Sequence, residues 1–261
     1  VISATFGVDG GLIDERGDLC APVISWTCDR TRPIMETIDR YLPLETLYEI
    51  SALGPSAINT INKIIWYKEN MPDVLSRASS FLFFPTLCAL RLGAPPVNDV
   101  SMAGTSMLTD YRTRDWSESV FDALGIDRSL FDPLVEAGTV IGNVSETAAQ
   151  RTGLRPGTPI ISAGHDTQCA LYGSGAGVGQ PVLSSGTWEI LMVRNTGPEP
   201  RQSDMQAGIT TEFDVVPGLY DTGLQWVASG VVEWVKEMLY SAESVQIENI
   251  YETMQREAAS A

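Results

Sequence analysis

The sequence predicts an α/β protein, and three observations carry that prediction. The chain opens on a strand-like run, Val1-Ile2-Ser3-Ala4-Thr5-Phe6. Helix-spaced apolar residues replace strand alternation from Pro33 to about Thr152. A buried-type strand, Pro159-Ile160-Ile161-Ser162-Ala163, then runs directly into a helix of small residues. The glycine-rich stretch from Gly173 to Gly179 reads as a hinge, so two domains are expected, 1–172 and 173–261.

In order along the chain, residues 1–8 and 12–14 read as two strands around Asp9-Gly10-Gly11. A second turn, Glu15-Arg16-Gly17-Asp18, leads to an apolar run at 21–26, giving a β-meander edge with glycine and aspartate where positive φ costs little. Helices are predicted at 33–40, 44–51, 60–69, 72–77, 80–92, 117–124 and 145–152. Ser117 and Ser145 supply start signals, and Gly54-Pro55, 93–96 and 153–157 supply breaks. After the strand at 159–163 a helix is expected at 168–174. Residues 181–185 and 188–194 read as strands around Ser185-Gly186-Thr187, and helices at 224–240 and 245–259 close the chain.

Composition narrows the function classes. Against 33 acidic residues stand 17 basic ones, a net charge of −16 that would repel a phosphate backbone, so nucleic-acid binding is not expected. The apolar run at 80–92 is too short for a membrane helix, and no signal-peptide pattern opens the chain. The four cysteines form no C-x-x-C pair, and with one histidine no zinc set is available, so no metal site made of protein ligands is predicted. Free thiols point to a cytoplasmic setting. An acidic protein that binds a nucleotide must supply positive potential locally, through backbone amides, a helix terminus or Mg²⁺. The first residue is not Met and lies in a strand-like run, which predicts a piece of something longer.

The strongest constellation is the strand followed by His165-Asp166-Thr167 and a helix. A carboxylate at that junction sits at the sheet edge where ligands bind, and the helix N-terminus favours its ionised form, which suits a general base. The same pattern also describes an ordinary N-cap, with Thr167 as a second candidate. His165 is the only histidine; its neighbour fills the base role, so hydroxyl recognition is the role assigned to it. Ser184-Ser185-Gly186-Thr187 between two strands can present amides and hydroxyls to a phosphate, and equally reads as a plain hairpin turn. It lacks the lysine of a Walker loop. Trp26 at a strand end, with Arg30 four residues on, can stack on a sugar face or simply pack in the core.

Taken together, these segments resemble the FGGY carbohydrate kinases over nearly the whole chain. Asn62-Lys63-Ile64-Ile65-Trp66-Tyr67-Lys68-Glu69-Asn70 is similar to the first family signature, with Tyr67 where a non-polar residue is usual. Asn98-Asp99-Val100-Ser101-Met102-Ala103-Gly104-Thr105 is similar to the D-x-S-x-A segment, and Gly153-Leu154-Arg155-Pro156-Gly157-Thr158-Pro159-Ile160 followed by Gly164-His165-Asp166-Thr167 to the stretch that delivers the family's aspartate. Within the family, the segments look most like the L-fuculokinase branch, with rhamnulokinases next.

The resemblance implies an actin-like ATPase (ribonuclease H-like) fold, comprising the second half of the first domain and the opening of the second. It implies phosphoryl transfer from MgATP to the 1-hydroxyl of a ketose, most closely L-fuculose, with Asp166 as base. It places Gly7, Asp9, His165 and Thr167 at the ketose, Trp26 beside it, and Ser185, Gly186 and Thr187 at the ATP phosphates. Asp221 is carried as a further sugar-site residue, although rhamnulokinase-like members have asparagine there. Cys28 stands where many relatives carry aspartate. The family's N-terminal phosphate loop and its C-terminal adenosine motif have no counterpart, which leaves a non-catalytic sugar-binding fragment as the rival reading. No nucleic-acid or membrane partner is implied, and assembly into a homo-oligomer is left open.

Overall fold

The N-terminal strand finds its partner at the far end of the first unit. In a computed structural model that describes residues 1–186, 188–240 and 249–260, strand Ile2–Thr5 runs parallel to strand Pro159–His165, pairing Ile2 with Ile161 and Thr5 with His165. Strand Val140–Asn143 lies antiparallel on the other side of Pro159–His165, which is therefore the centre of a three-stranded sheet. The chain divides into two compact units, Val1–Val182 with Met192–Gly223, and Leu183–Leu191 with Leu224–Ala261.

The expected meander at the N-terminus does not form. Strand Gly10–Ile13 turns away from Ile2–Thr5 and pairs antiparallel with Ser80–Phe83, and no strand occupies 21–26. The predicted helix at 80–92 is thus a strand, Ser80–Phe83, followed by a helix, Phe84–Leu92. Pro85 explains the switch: its fixed φ and missing N–H suit the first helical turn, so the helix begins there. The preceding Ser80, Phe81, Leu82 and Phe83 are all buried, as a strand covered on both faces requires.

Helices Leu44–Ser51, Thr60–Asn70, Pro72–Arg77, Glu118–Leu124 and Glu146–Thr152 lie where apolar spacing placed them. Ser145 caps the last of these, its hydroxyl accepting the Ala148 N–H at 3.2 Å. Residues 33–40 form a short helix, Arg32–Met35, and a separate 3-10 turn, Ile38–Arg40. The largest apolar cluster gathers Leu12, Leu47, Ile64, Phe83, Phe121 and Phe131 among its members. Trp116 lies edge-on to Phe131 at 5.1 Å between ring centres, and its indole N–H reaches the Asp132 carbonyl at 2.9 Å.

A four-stranded sheet follows the glycine-rich stretch, in the order Pro181–Ser185, Trp188–Asn195, Tyr220–Val227, Thr210–Phe213. Residues 224–227, expected to be helical, complete the long strand Tyr220–Val227, and the helix begins only at Ser229. Antiparallel pairing from Phe213↔Tyr220 to Thr210↔Gly223 carries the strand into this stretch, where Trp226 and Val227 favour extended backbone. The last helix is Ile250–Ser260; the first residues of the helix expected at 245–259 lie outside the described residues. No helix among the described residues is long and apolar enough to cross a membrane.

Candidate active site

Asp166 is the first residue of helix Asp166–Gly173, directly after strand Pro159–His165, and its side chain is 54% exposed. A carboxylate in the first helical turn gains from the unsatisfied amides and the positive end of the dipole. The junction is shaped by Gly164, whose φ is +81°. A Cβ there would lie 2.1 Å from Ser101 Oγ and 2.4 Å from Asp99 Oδ1, so only glycine fits.

Those two neighbours form a buried anchor. Asp99 Oδ1 accepts the Ser101 N–H at 2.8 Å and the Ser101 hydroxyl at 2.6 Å, while Oδ2 accepts the Ser162 hydroxyl at 2.6 Å. Ser101 Oγ in turn accepts the His165 N–H at 3.0 Å. The aspartate and serine of the D-x-S segment therefore fix the backbone that delivers His165 and Asp166. Their sequence signal was visible, but their role was not.

The His165 ring lies between two carboxylates. Nε2 is 3.5 Å from Asp166 Oδ1, and Nδ1 is 3.4 Å from Glu212 Oε2. Glu212 is held by Gln168, whose amide donates to Oε2 at 2.5 Å. Burial opposes the charged ring, but the facing carboxylates, Glu212 foremost, outweigh it and raise the His165 pKa above 6.5. Gly7 packs against this ring: a Cβ on it would come within 3.0 Å of His165 Nε2 and 2.9 Å of Thr105 Cγ2. Thr167 Oγ1 lies 3.5 Å from Asp166 Oδ1. Gly7, His165, Asp166 and Thr167 are thus brought together.

Asp9 and Trp26 form an adjoining group. The Asp9 N–H closes a three-residue turn on the Gly7 carbonyl at 2.8 Å, with Val8 at φ +62°. A β-branched residue is strained in that region, by about 1–3 kcal/mol. Three side chains pin the turn: Thr105 Oγ1 accepts the Val8 N–H at 2.9 Å, and the Val8 carbonyl accepts Thr60 Oγ1 and Lys63 Nζ, each at 2.8 Å. Lys63 also pairs with the Asp9 carboxylate, both side chains being buried, and Asp9 Oδ2 accepts the Trp26 N–H at 3.2 Å. Desolvation pulls the Lys63 ammonium below its ordinary value, against the opposing pull of Asp9. The Trp26 ring is 37% exposed. Two residues on, Arg30 lowers the pKa of the Cys28 thiol, its Nε donating to Sγ at 3.0 Å.

Asp221 is fully buried and paired across the strands with Glu212. Neither of its carboxylate oxygens has a hydrogen-bond partner. Desolvation, reinforced by Asp214, raises its pKa strongly. Asp214 itself is paired with Arg194. Ser185 and Gly186 belong to the second unit and are exposed, Ser185 Oγ donating to Glu189 at 3.1 Å. The Gly186 N–H closes its turn on the Trp188 carbonyl at 3.0 Å. Thr187 lies outside the described residues. No group of three or more His, Cys, Asp or Glu among the described residues is arranged to hold a metal ion.

Lys63, Thr105, Gln168 and Glu212 were not singled out from the sequence. Lys63 sat inside a recognised motif, but nothing local distinguishes a buried lysine from a solvated one. Glu212 comes within reach of His165 only through tertiary packing of segments separated in the chain.

The chain is similar to known proteins over most of its length. The L-fuculokinase of Escherichia coli K12 is 48% identical over 240 residues, 92% of this chain and 51% of that protein. The L-fuculokinase of Haemophilus influenzae is 42% identical over 257 residues, 98% of this chain and 54% of that protein. The chain spans about half the length of the curated relatives it matches. Gluconate kinase from Lactobacillus acidophilus superposes with a TM-score of 0.83 at 18% identity, over 93% of this chain and 49% of that one. At that identity the likeness is one of fold, the α/β actin-like ATPase architecture of sugar kinases. Residues 2–173 match the N-terminal domain model of the FGGY family of carbohydrate kinases, and the chain belongs to that family.

Proposed function

We propose that the chain serves ATP-dependent phosphorylation of the 1-hydroxyl of a ketose, L-fuculose, with Asp166 as general base. The carrying observation is the Asp166 carboxylate: half-exposed, at the first turn of a helix, and beside a histidine ring against which Gly7 packs. The 48% identity to a protein named L-fuculokinase supports the choice of sugar.

In this reading Asp166 accepts the hydroxyl proton as the sugar oxygen attacks phosphorus. Such base catalysis contributes on the order of 10²–10⁴-fold, and positioning and charge neutralisation supply the rest. His165 and Thr167 hydrogen-bond the sugar hydroxyls, Gly7 leaves room for the ring, and the half-open face of Trp26 covers its apolar side. Asp9 holds Trp26 in place through its backbone amide. ATP would supply the phosphoryl group, and Mg²⁺ bound with it would neutralise phosphate charge. Ser185, Gly186 and Thr187 receive the phosphates; a Cβ on Gly186 would meet only the Trp188 carbonyl at 3.8 Å, so the turn is open to close approach. A Mg²⁺ ion carried by phosphates and water with one or two carboxylates needs no dedicated protein cage.

We place the domain boundary at 172/173, with 173–179 as hinge, supported by the family match ending at residue 173. The free cysteines suit a cytoplasmic setting. Sugar binding without turnover by this chain alone is the second reading, favoured by its matching about half of each relative. Calorimetry with L-fuculose and with MgATP separately, followed by ADP release across L-fuculose, L-rhamnulose, D-xylulose and D-ribulose, tests both. L-fuculose binding with the highest ADP release supports the first reading; sugar binding with no ADP release selects the second; no binding of any ketose rejects both.

A further inference from the structure

The buried side of the His165 ring raises a question of charge balance. Glu212 is 8% exposed and accepts from the neutral Gln168 amide, and His165 is the one cationic partner recorded for it among the described residues. The Arg194 guanidinium pairs with Asp214 through Nε and donates to the Ala176 carbonyl through Nη1 at 3.0 Å, while Nη2 has no hydrogen-bond partner among the described residues. A buried carboxylate with no countercharge is costly, and a protonated imidazole removes that cost. Directly across the strands, Asp221 would add a like charge to Glu212 if ionised. Burial first, then the neighbouring Asp214, hold the Asp221 pKa well above the usual carboxylate range, so Glu212 is the carboxylate that faces the ring.

We propose that Glu212 is a positioning residue for Asp166: from the buried side it orients the His165 imidazole and keeps it cationic, so that the ring's other nitrogen steadies the Asp166 carboxylate. The proposal deepens the kinase reading and rests on it for the role of Asp166. Every group facing the ring takes part. Asp166 comes from the helix start, Glu212 from strand Thr210–Phe213, and Thr105 and Gly7 close the ring's other side. Asp99 and Ser101 hold the backbone of His165 from below. Asp214 and Asp221 stand behind Glu212, and Gln168 and Cys169 lie on the helix that Asp166 begins. The arrangement is a carboxylate–imidazole–carboxylate line in which only the outer carboxylate meets solvent.

Because His165 is the only histidine, its imidazole gives a single set of NMR signals in the intact chain. Nitrogen-15 shifts in the wild type should report a mostly doubly protonated ring at pH 6.5, the ordinary midpoint of an imidazole; a mostly neutral ring at that pH overturns the proposal without any variant. The ring's titration midpoint should lie above 6.5 in the wild type and fall in Glu212→Gln, while Asp214→Asn should leave it nearly in place. An unchanged midpoint in a folded Glu212→Gln chain also overturns the proposal. Addition of L-fuculose separates this inference from the kinase reading. Sugar-induced shifts of the His165 signals support that reading; their absence, with the Glu212 coupling intact, rejects the reading but leaves the positioning role standing.

Discussion

Replacing Gly164 by alanine probes the junction that delivers Asp166. At φ +81° an alanine costs about 1–3 kcal/mol in backbone strain. Its Cβ, 2.1 Å from Ser101 Oγ, must also expel that hydroxyl from its place. Ser101 Oγ then gives up its bond to the buried Asp99 carboxylate, about 1.5–3 kcal/mol for a charged partner, and its bond from the His165 N–H, about 0.5–1.5 kcal/mol. Together the loss is about 3–7.5 kcal/mol, a large part of the roughly 5–15 kcal/mol that holds a domain folded. Gly157→Ala is the matched control: its φ is +75°, but nothing lies within 4 Å of the new Cβ, so it incurs the backbone strain alone. Urea denaturation of the two variants beside the wild type measures both. Gly164→Ala should lose several kcal/mol more than Gly157→Ala. Equal losses would refute the anchor formed by Asp99 and Ser101.

Other consequences follow from the buried charges. Lys63→Met strands the Asp9 carboxylate in a buried position and should cost about 3–5 kcal/mol, whereas Lys63→Met with Asp9→Asn should recover much of it; denaturant midpoints for the full double-mutant cycle check this. The raised pKa of His165 gives stability that is fully present below its unfolded value of 6.5 and is lost as pH rises through the higher folded value. The raised pKa of Asp221 acts in the same direction, from its unfolded value of 3.8 upward. Thermal unfolding should therefore show stability falling as pH rises through neutrality. Asp221→Asn should flatten that fall by removing one of the two groups, and an unchanged slope would count against the buried-neutral assignment.

Much of the fold was legible where the signal is local. Pro72–Arg77 was placed to the residue by its helix-spaced apolar residues, and Glu146–Thr152 to within one residue by the start signal at Ser145. The strand and helix that meet at His165 and Asp166 were read at 159–163 and 168–174, from a run of buried-type residues meeting small ones; the structure extends the strand to His165 and starts the helix at Asp166. What escaped was non-local. The first strand pairs with a segment some 160 residues away, and no periodicity in residues 1–14 shows that it prefers Pro159–His165 to its own neighbour. Residues 80–83 were misjudged because a short apolar run fits a strand or a helix equally, and Pro85 was not used as the boundary it is. The same holds at the site. His165 and Asp166 announce themselves as adjacent residues, while Glu212 reaches them only after a second sheet is built. Asp221 was selected by resemblance, and its complete burial depends on the same sheet.

Asp166→Asn is the most direct measurement of the central claim. The substitution keeps the side chain's shape and removes its capacity to take a proton. In protein carried to the length of its L-fuculokinase relatives, ADP release from MgATP with L-fuculose should fall by about 10²–10⁴-fold, while calorimetric affinity for the sugar and the unfolding midpoint stay near wild type. Turnover within a few-fold of wild type in a folded, sugar-binding variant would contradict the assignment of Asp166 as the base.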